Sequence, residues 1–327
     1  MFGSYAAAGE GAQLGCGLGI EAFVLLLWRG CAGAHRLACA GYGVGGAFRP
    51  REEGVSAPYV AAVASGKGGV GKTLISAWMA LRAAATGRKT LLIDADMGLA
   101  NAEVVLGVQP KATVHDWYCG RADVRELITP VRAGLDLVSG GSGFAELASM
   151  QDRTRAELIR VLRDLAAPYD TVVLDTAAGI GENVLFFAAS ADRVVVVLTP
   201  DPTSLTDAYA LVKVLSREWG VRRFSIVINQ AEELEAKLAF RRLVVVADRY
   251  LDVVLEDLGS LPPEEALGAV IKQQKRLPSG VPEWIADRLN AIADRCLEPT
   301  DGAEGRGGLR QLWERTLADA LMPRGGV

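Results

Sequence analysis

The chain has 327 residues, of which 50% are apolar and 23% charged, with a formal net charge of −4 and a mean hydropathy of +0.21. That composition supports one large core with at most a small appendage, and its acid-leaning balance argues against a surface that grips nucleic acid throughout, leaving room only for a local basic face. The five cysteines, Cys16, Cys31, Cys39, Cys119 and Cys296, are scattered without any C-x-x-C pair, so they suggest neither a disulfide framework nor a zinc site and point to a reducing cytosol.

Residues 1–57 are rich in Gly and Ala, hold three of the five cysteines, and show neither strand alternation nor a sustained helical period. They are expected to form a poorly ordered leader. Its longest apolar run, Ala22 to Trp28, is far short of the ~20 residues a spanning helix needs. No Lys or Arg precedes that run to make the positive start of a signal peptide. The composition changes abruptly at Pro58, which motivates the expectation that part of the leader reflects a misassigned upstream start, with Val55 one conceivable true start.

From Tyr59 onward short apolar runs alternate with longer amphipathic stretches, the pattern of βα units wound onto a mostly parallel sheet. The expected fold class is α/β, a doubly wound, mostly parallel sheet flanked by helices. Strands are predicted at Tyr59–Ala64, Thr90–Asp94, Leu135–Val138, Thr171–Asp175, Arg193–Thr199 and Phe224–Asn229. Their Val, Ile and Leu runs lack polar alternation, as strands buried on both faces do. Helices are predicted at Thr73–Thr86, closed by Gly87; at Thr154–Ala166, closed by Pro168; and at Ser204–Trp219, closed by Gly220. Glu233–Asp257 is ambiguous, because Val244-Val245-Val246 favours a strand, but its length and the spacing of Leu238, Leu243, Ala247 and Leu251 favour a helix. Pro282 is read as a first-turn proline of a helix with Ile285, Leu289, Ile292 and Ala293 on one face. The expected organisation is therefore a leader (1–57), a main domain (58–298), a linker (299–308) and a C-terminal amphipathic helix (309–327).

Between the first strand and the first helix lies Gly66-Lys67-Gly68-Gly69-Val70-Gly71-Lys72-Thr73, a complete G-x-x-x-x-G-K-T. The glycines let successive backbone N–H groups converge on phosphate oxygens. The helix N-terminus and Lys72 supply positive potential, and the Thr73 hydroxyl can ligate magnesium. An ordinary phosphate loop has no demand for a second lysine, so Lys67 is the more informative residue. K-G-G-x-G-K-T resembles the deviant Walker A motif of the MinD/ParA family of P-loop ATPases. The resemblance implies that Lys67 reaches across a face-to-face dimer to the partner's nucleotide, where its charge would act as an arginine finger does.

The second strand ends in Asp94-Ala95-Asp96, which places two carboxylates at the sheet edge where open α/β sheets bind ligands. They resemble the family's switch I, in which Asp96 orients the attacking water and Asp94 supports the metal shell. Asp175 closes an apolar strand, as a carboxylate holding magnesium through water should. Thr176 to Ile180 resembles switch II, although Ala177 departs from the Gly or Pro more often seen there and bears on the hydrolysis rate. The chain lacks N-K-x-D after its sixth predicted strand, which favours ATP over GTP. Asn229 and Pro262 fall where the family contacts and flanks the adenine.

Asp94 to Asn101, Gly140 to Ala148 and Thr199 to Tyr209 resemble the flagellar-number regulators of the FlhG, FleN or YlxH type. Membership of that group implies a slow, partner-stimulated ATPase with cofactors ATP and Mg2+. It also implies an ATP-bound dimer peripheral on the inner face of the cell membrane, a free monomer in the cytoplasm, and partners that include an FlhF-like GTPase and flagellar switch proteins. Nucleic acid is not an expected partner. No D-Q-A-x-x-L-R motif occurs in residues 1–58, which weakens the case for stimulating FlhF. The last helix carries Leu309, Leu312, Trp313, Leu317, Ala320 and Leu321 on one face. That face suits a membrane surface or the protein's own core. A MinD-type cell-division regulator and a non-hydrolysing ATP-binding adapter share the same residues and stay open as alternatives.

Overall fold

The computed structural model describes residues 57–96, 101–141, 152–263 and 276–298, all within the compact unit Arg51–Val327. The leader, most of the switch I loop, the linker and the last helix read from the sequence lie outside the described residues. Eight strands form one sheet: β1 (Tyr59–Ser65), β2 (Thr90–Ala95), β3 (Ile128–Arg132), β4 (Leu135–Val138), β5 (Thr171–Ala178), β6 (Arg193–Leu198), β7 (Arg223–Ile228) and β8 (Val254–Ser260). Their order is β3-β4-β2-β5-β1-β6-β7-β8. Every neighbouring pair is parallel except β3 with β4. The helices are α1 (Lys72–Ala85), α2 (Ala102–Leu106), α3 (Val114–Tyr118), α4 (Asp152–Ala166), α5 (Glu182–Ala189), α6 (Pro202–Trp219), α7 (Glu233–Tyr250) and α8 (Glu283–Leu297), with a 3-10 turn at Val124–Leu127.

The unbroken apolar strands follow from cover on both faces. Ala61 and Val63 of β1 pack with α1 and α8, whereas Val60 and Ala62 join the layer built on α4 and Ala64 the layer of α5, α6 and α7. Successive side chains of a strand point to opposite faces, so neither face offers a solvated position for a polar residue. After β1 the chain turns to one side to make β2, and after β5 it crosses to the other side to make β6. The reversal leaves a crevice at the carboxyl end of β1, where such sheets bind ligands.

Helix α8 fixes α1, the helix that follows the phosphate loop. Ile285, Leu289, Ile292 and Ala293 are buried as expected, Arg82 forms a two-pronged ion pair with Asp294 at 2.8 Å on each arm, and Trp78 donates to Asn290 at 3.0 Å. The far end of α8 is pinned to the sheet by buried Arg193, which donates to the Glu298 carbonyl at 3.0 Å, to Ser225 at 2.9 Å and to Glu256 at 2.9 Å.

Two strands escape the sequence reading, both at the edges. β3 carries Pro130, which only an edge strand tolerates. β8 mixes Glu256 and Asp257 into its run and so shows no buried pattern. The helix expected over Glu233–Asp257 accordingly ends too late in that reading. α7 does absorb Val244-Val245-Val246, but it stops at Tyr250, Leu251 is already extended, and Val254 to Asp257 belong to β8. Pro282 is the residue before the first helical turn rather than within it. Four short helical pieces, α2, α3, α5 and the 3-10 turn, are too short for a periodic signal.

Candidate nucleotide-binding site

The phosphate loop runs from the end of β1 into α1 with its backbone held from three sides. Gly69 and Gly71 adopt φ of 77° and 96°, conformations that disfavour any side chain. A Cβ on Gly71 would lie 2.4 Å from the Asn229 side-chain nitrogen, and one on Gly66 would lie 2.2 Å from the Asp207 carbonyl oxygen of α6. The loop is therefore wedged between the end of β7 and the first turns of α6. Lys72 is buried, and its Nζ donates to the Ser65 hydroxyl at 2.9 Å. Burial lowers its pKa, with Asp175 and then Asp96 opposing the shift.

β2 and β5 lie side by side with Asp94 in register with Asp175, so the sheet itself brings the two carboxylates together. Both are almost fully buried. Asp94 accepts from the backbone N–H groups of Asp96, Asn101 and Ala102, each at 3.0 Å, and so folds the start of switch I around itself. Asp175 is different, because neither of its oxygens has a hydrogen-bond partner. The Thr73 and Ser76 hydroxyls lie close enough to lower its pKa, but Ser76 donates to the Lys72 carbonyl at 2.8 Å. A buried carboxylate without partners is costly and marks a place where a cation fits. Asp96 lies half-buried beside the pair, near enough to influence both Lys72 and Asp175.

Desolvation raises the pKa of both Asp94 and Asp175. The Asp175 charge adds to the shift at Asp94, where the three backbone donors oppose it. At Asp175 the nearby hydroxyls and Lys72 oppose the shift, and Asp96 reinforces it. The folded chain thus holds protons that the unfolded chain has already lost. That contribution to stability is complete below the ordinary carboxylate pKa and disappears as pH rises through the raised values towards neutrality. In chelator, thermal melts should show a lower melting temperature at about pH 8 than at about pH 6, and adding Mg2+ with ATP should reverse the loss. A melting temperature that rises over that interval in chelator contradicts the assignment.

On the switch II side, Thr176 donates to the Val63 carbonyl at 3.0 Å and the Gly179 amide donates to the Ser65 carbonyl at 2.9 Å. The loop after β5 is thus tied to the base of the phosphate loop. Ala177 packs partly buried against the α5–α6–α7 layer, and Ile180 is exposed. On the far side, Ala231 donates to the Leu261 carbonyl and Leu261 to the Ile228 carbonyl, each at 3.0 Å, so Asn229 and Pro262 lie on adjoining loops, both buried. The Asn229 amide braces its loop against the phosphate loop. Its nitrogen donates to the Val70 carbonyl at 2.8 Å and its oxygen accepts from the Gln230 N–H at 2.9 Å. Gln230 adopts a φ of 56°, unusual for a residue other than glycine.

All the predicted site residues fall at this edge of the sheet. Sequence reasoning missed the partners of Lys67. Its Nζ donates to Asp201 at 3.1 Å and to Thr203 at 2.9 Å, both at the start of α6. It also missed Ser65, whose hydroxyl accepts from Lys72 and donates to the Lys67 carbonyl at 2.7 Å. In the sequence the run Thr199 to Tyr209 is only a point of family resemblance, since no spacing rule links it to a loop more than a hundred residues earlier. Among the described residues, no cluster of three or more His, Cys, Asp or Glu side chains could by itself hold a metal ion, so any cation here would share its shell with the Thr73 hydroxyl and a ligand.

A family model described as an AAA domain matches residues 59–218. The antiactivator FleN of Pseudomonas aeruginosa is 38% identical over 260 residues, spanning 79% of this chain and 93% of that protein. The flagellum site-determining protein YlxH of Helicobacter pylori is 34% identical over 261 residues, spanning 78% of this chain and 88% of that one. Among solved structures, the septum site-determining protein MinD of Pyrococcus horikoshii, complexed with Mg-ADP, matches at a TM-score of 0.60 over 75% of this chain and 98% of its own, with 22% sequence identity. That last likeness shows a shared fold.

Proposed function

Because the chain belongs to the MinD/ParA family of P-loop ATPases and, within it, to the FlhG-like flagellar regulators, we propose that it is a nucleotide switch. In this reading ATP with magnesium pairs two copies face to face, hydrolysis separates them, and the cycle regulates flagellar number or placement. The observation that carries the reading is the complete deviant phosphate loop set beside Asp175, a buried carboxylate with no hydrogen-bond partner. One relative matched over 88% of its own length bears a flagellar name, which favours the flagellar role over cell division.

Each residue has a task in this mechanism. The loop amides from Gly66 to Thr73 and the Lys72 ammonium bind the phosphates. When bound, magnesium would offset the negative charge of the phosphates, and Thr73 with Asp175 would hold it, with Asp94 supporting that shell. Asp94 shapes the switch I loop through its three backbone partners and so places Asp96, whose carboxylate orients the attacking water. Lys67 crosses to the partner's nucleotide and meets the negative charge that builds up there. Asn229 contacts the base and braces the base-side loop against the phosphate loop, with Pro262 flanking the base. Among the described residues no helix is long and apolar enough to cross a membrane. Membrane residence in this reading rests on the amphipathic segment 309–327, and the partners are an FlhF-like GTPase and flagellar switch proteins.

Calorimetric titration of wild type and Asp175→Asn with ATP, in magnesium and in chelator, tests the site. Wild type should bind more tightly with magnesium, and the variant should lose most of that gain, roughly 10- to 100-fold. Undiminished magnesium dependence in the variant would remove Asp175 from the metal side and the reading with it.

A further inference from the structure

The lysine that marks the deviant loop is already held within its own chain. Lys67 and Asp201 are an ion pair at 3.1 Å whose side chains are 43% and 44% exposed, so side-chain rotation alone can free the ammonium. The carboxylate is held in place from several directions. Asp201 caps α6 by accepting from the Ser204 N–H at 3.2 Å, and the Thr199 and Thr203 hydroxyls both donate to it. Those hydroxyls, Thr199 first, together with Lys67 hold its pKa well below the usual carboxylate range, so it stays charged wherever the protein works. The backbone beneath the lysine is fixed against the same helix, since Gly66 leaves no room for a Cβ beside the Asp207 carbonyl.

We propose that Asp201 is a positioning residue that holds Lys67 in the single chain and releases it when a second nucleotide-loaded copy takes up the ammonium, so that Asp201 limits how readily two copies pair. The proposal rests on the face-to-face dimer described above. A contact made only in the unpaired state lowers the pairing constant by whatever it contributes there. An exposed pair of this kind is worth roughly 1.5- to 5-fold per chain. Two such contacts are lost for each dimer formed, so the pairing constant falls by roughly 2- to 30-fold. Added salt screens the pair and should shrink the effect.

Asp201→Asn is the discriminating variant, because Asn caps a helix as well as Asp does but carries no charge. Sedimentation velocity with magnesium and a non-hydrolysable ATP analogue should show the variant pairing at protein concentrations roughly 2- to 30-fold lower than wild type, with a melting temperature lower by no more than about a few degrees. The difference between variant and wild type should shrink as salt is added, a dependence that loss of a helix cap would not produce. If Asp201→Asn does not fold, Asp201→Ser keeps a good cap and serves instead. Unchanged or weaker pairing by the variant, with Lys67→Ala impaired, overturns the role of Asp201 and leaves the dimer reading intact. Wild-type pairing by Lys67→Ala overturns both.

Discussion

Replacing Lys67 with alanine is expected to slow ATP turnover by about a thousandfold or more, the range found for a charge supplied in trans to a phosphoryl group, while changing ATP binding to the single chain by less than about threefold. The asymmetry follows from where the side chain sits. In the single chain the Lys67 ammonium rests on Asp201 and Thr203 at the start of α6, whereas Lys72, buried against Ser65, is the lysine that the proposed mechanism sets on the phosphates. Deleting Lys67 should therefore cost little in the ground state and much in the transition state. Single-turnover phosphate release set beside calorimetric affinity separates the two. Weakened binding with an unaltered chemical step would mean that Lys67 is an ordinary loop cation.

Asp96→Ala should lower turnover by roughly 10²- to 10⁴-fold, the usual contribution of a positioned acid–base group, with ATP still bound. Asp94 gathers the backbone of Asp96, Asn101 and Ala102 onto its own carboxylate, so the loop that carries Asp96 keeps its anchor when the Asp96 side chain is removed. The same variant decides whether the chain is a switch or an adapter. Ala177 sits where the family more often has Gly or Pro, in a loop tied back to Val63 and Ser65, and both features oppose a closing movement. Equal turnover by wild type and Asp96→Ala would show that the chain binds ATP without using it.

Most of this architecture was legible because its determinants are local. The glycine-rich loop between an apolar run and a helix, and the carboxylates at strand ends, need only a few adjacent residues to be recognised. The interior strands declare themselves because cover on both faces favours long apolar runs. The edge strands β3 and β8 have a partner on one side only and admit Pro130, Glu256 and Asp257, so their pattern blurs. At the site, the roles of Asn229 and Asp94 were read from position along the chain. Their hydrogen bonds show what position could not: Asn229 is engaged on the Val70 carbonyl, and Asp94 on three amides of the loop that follows it. The berth of Lys67 on Asp201 was out of reach for a different reason, since it joins residues that only the β1–β6 pairing and the start of α6 bring together.

The mass of the protein in solution, measured by light scattering with saturating ATP and magnesium and again with ADP, tests the central claim most directly. A doubling of mass that requires ATP and is lost in Lys67→Ala is the predicted result. A chain that stays single when saturated with ATP, or pairs equally well with ADP, contradicts the account.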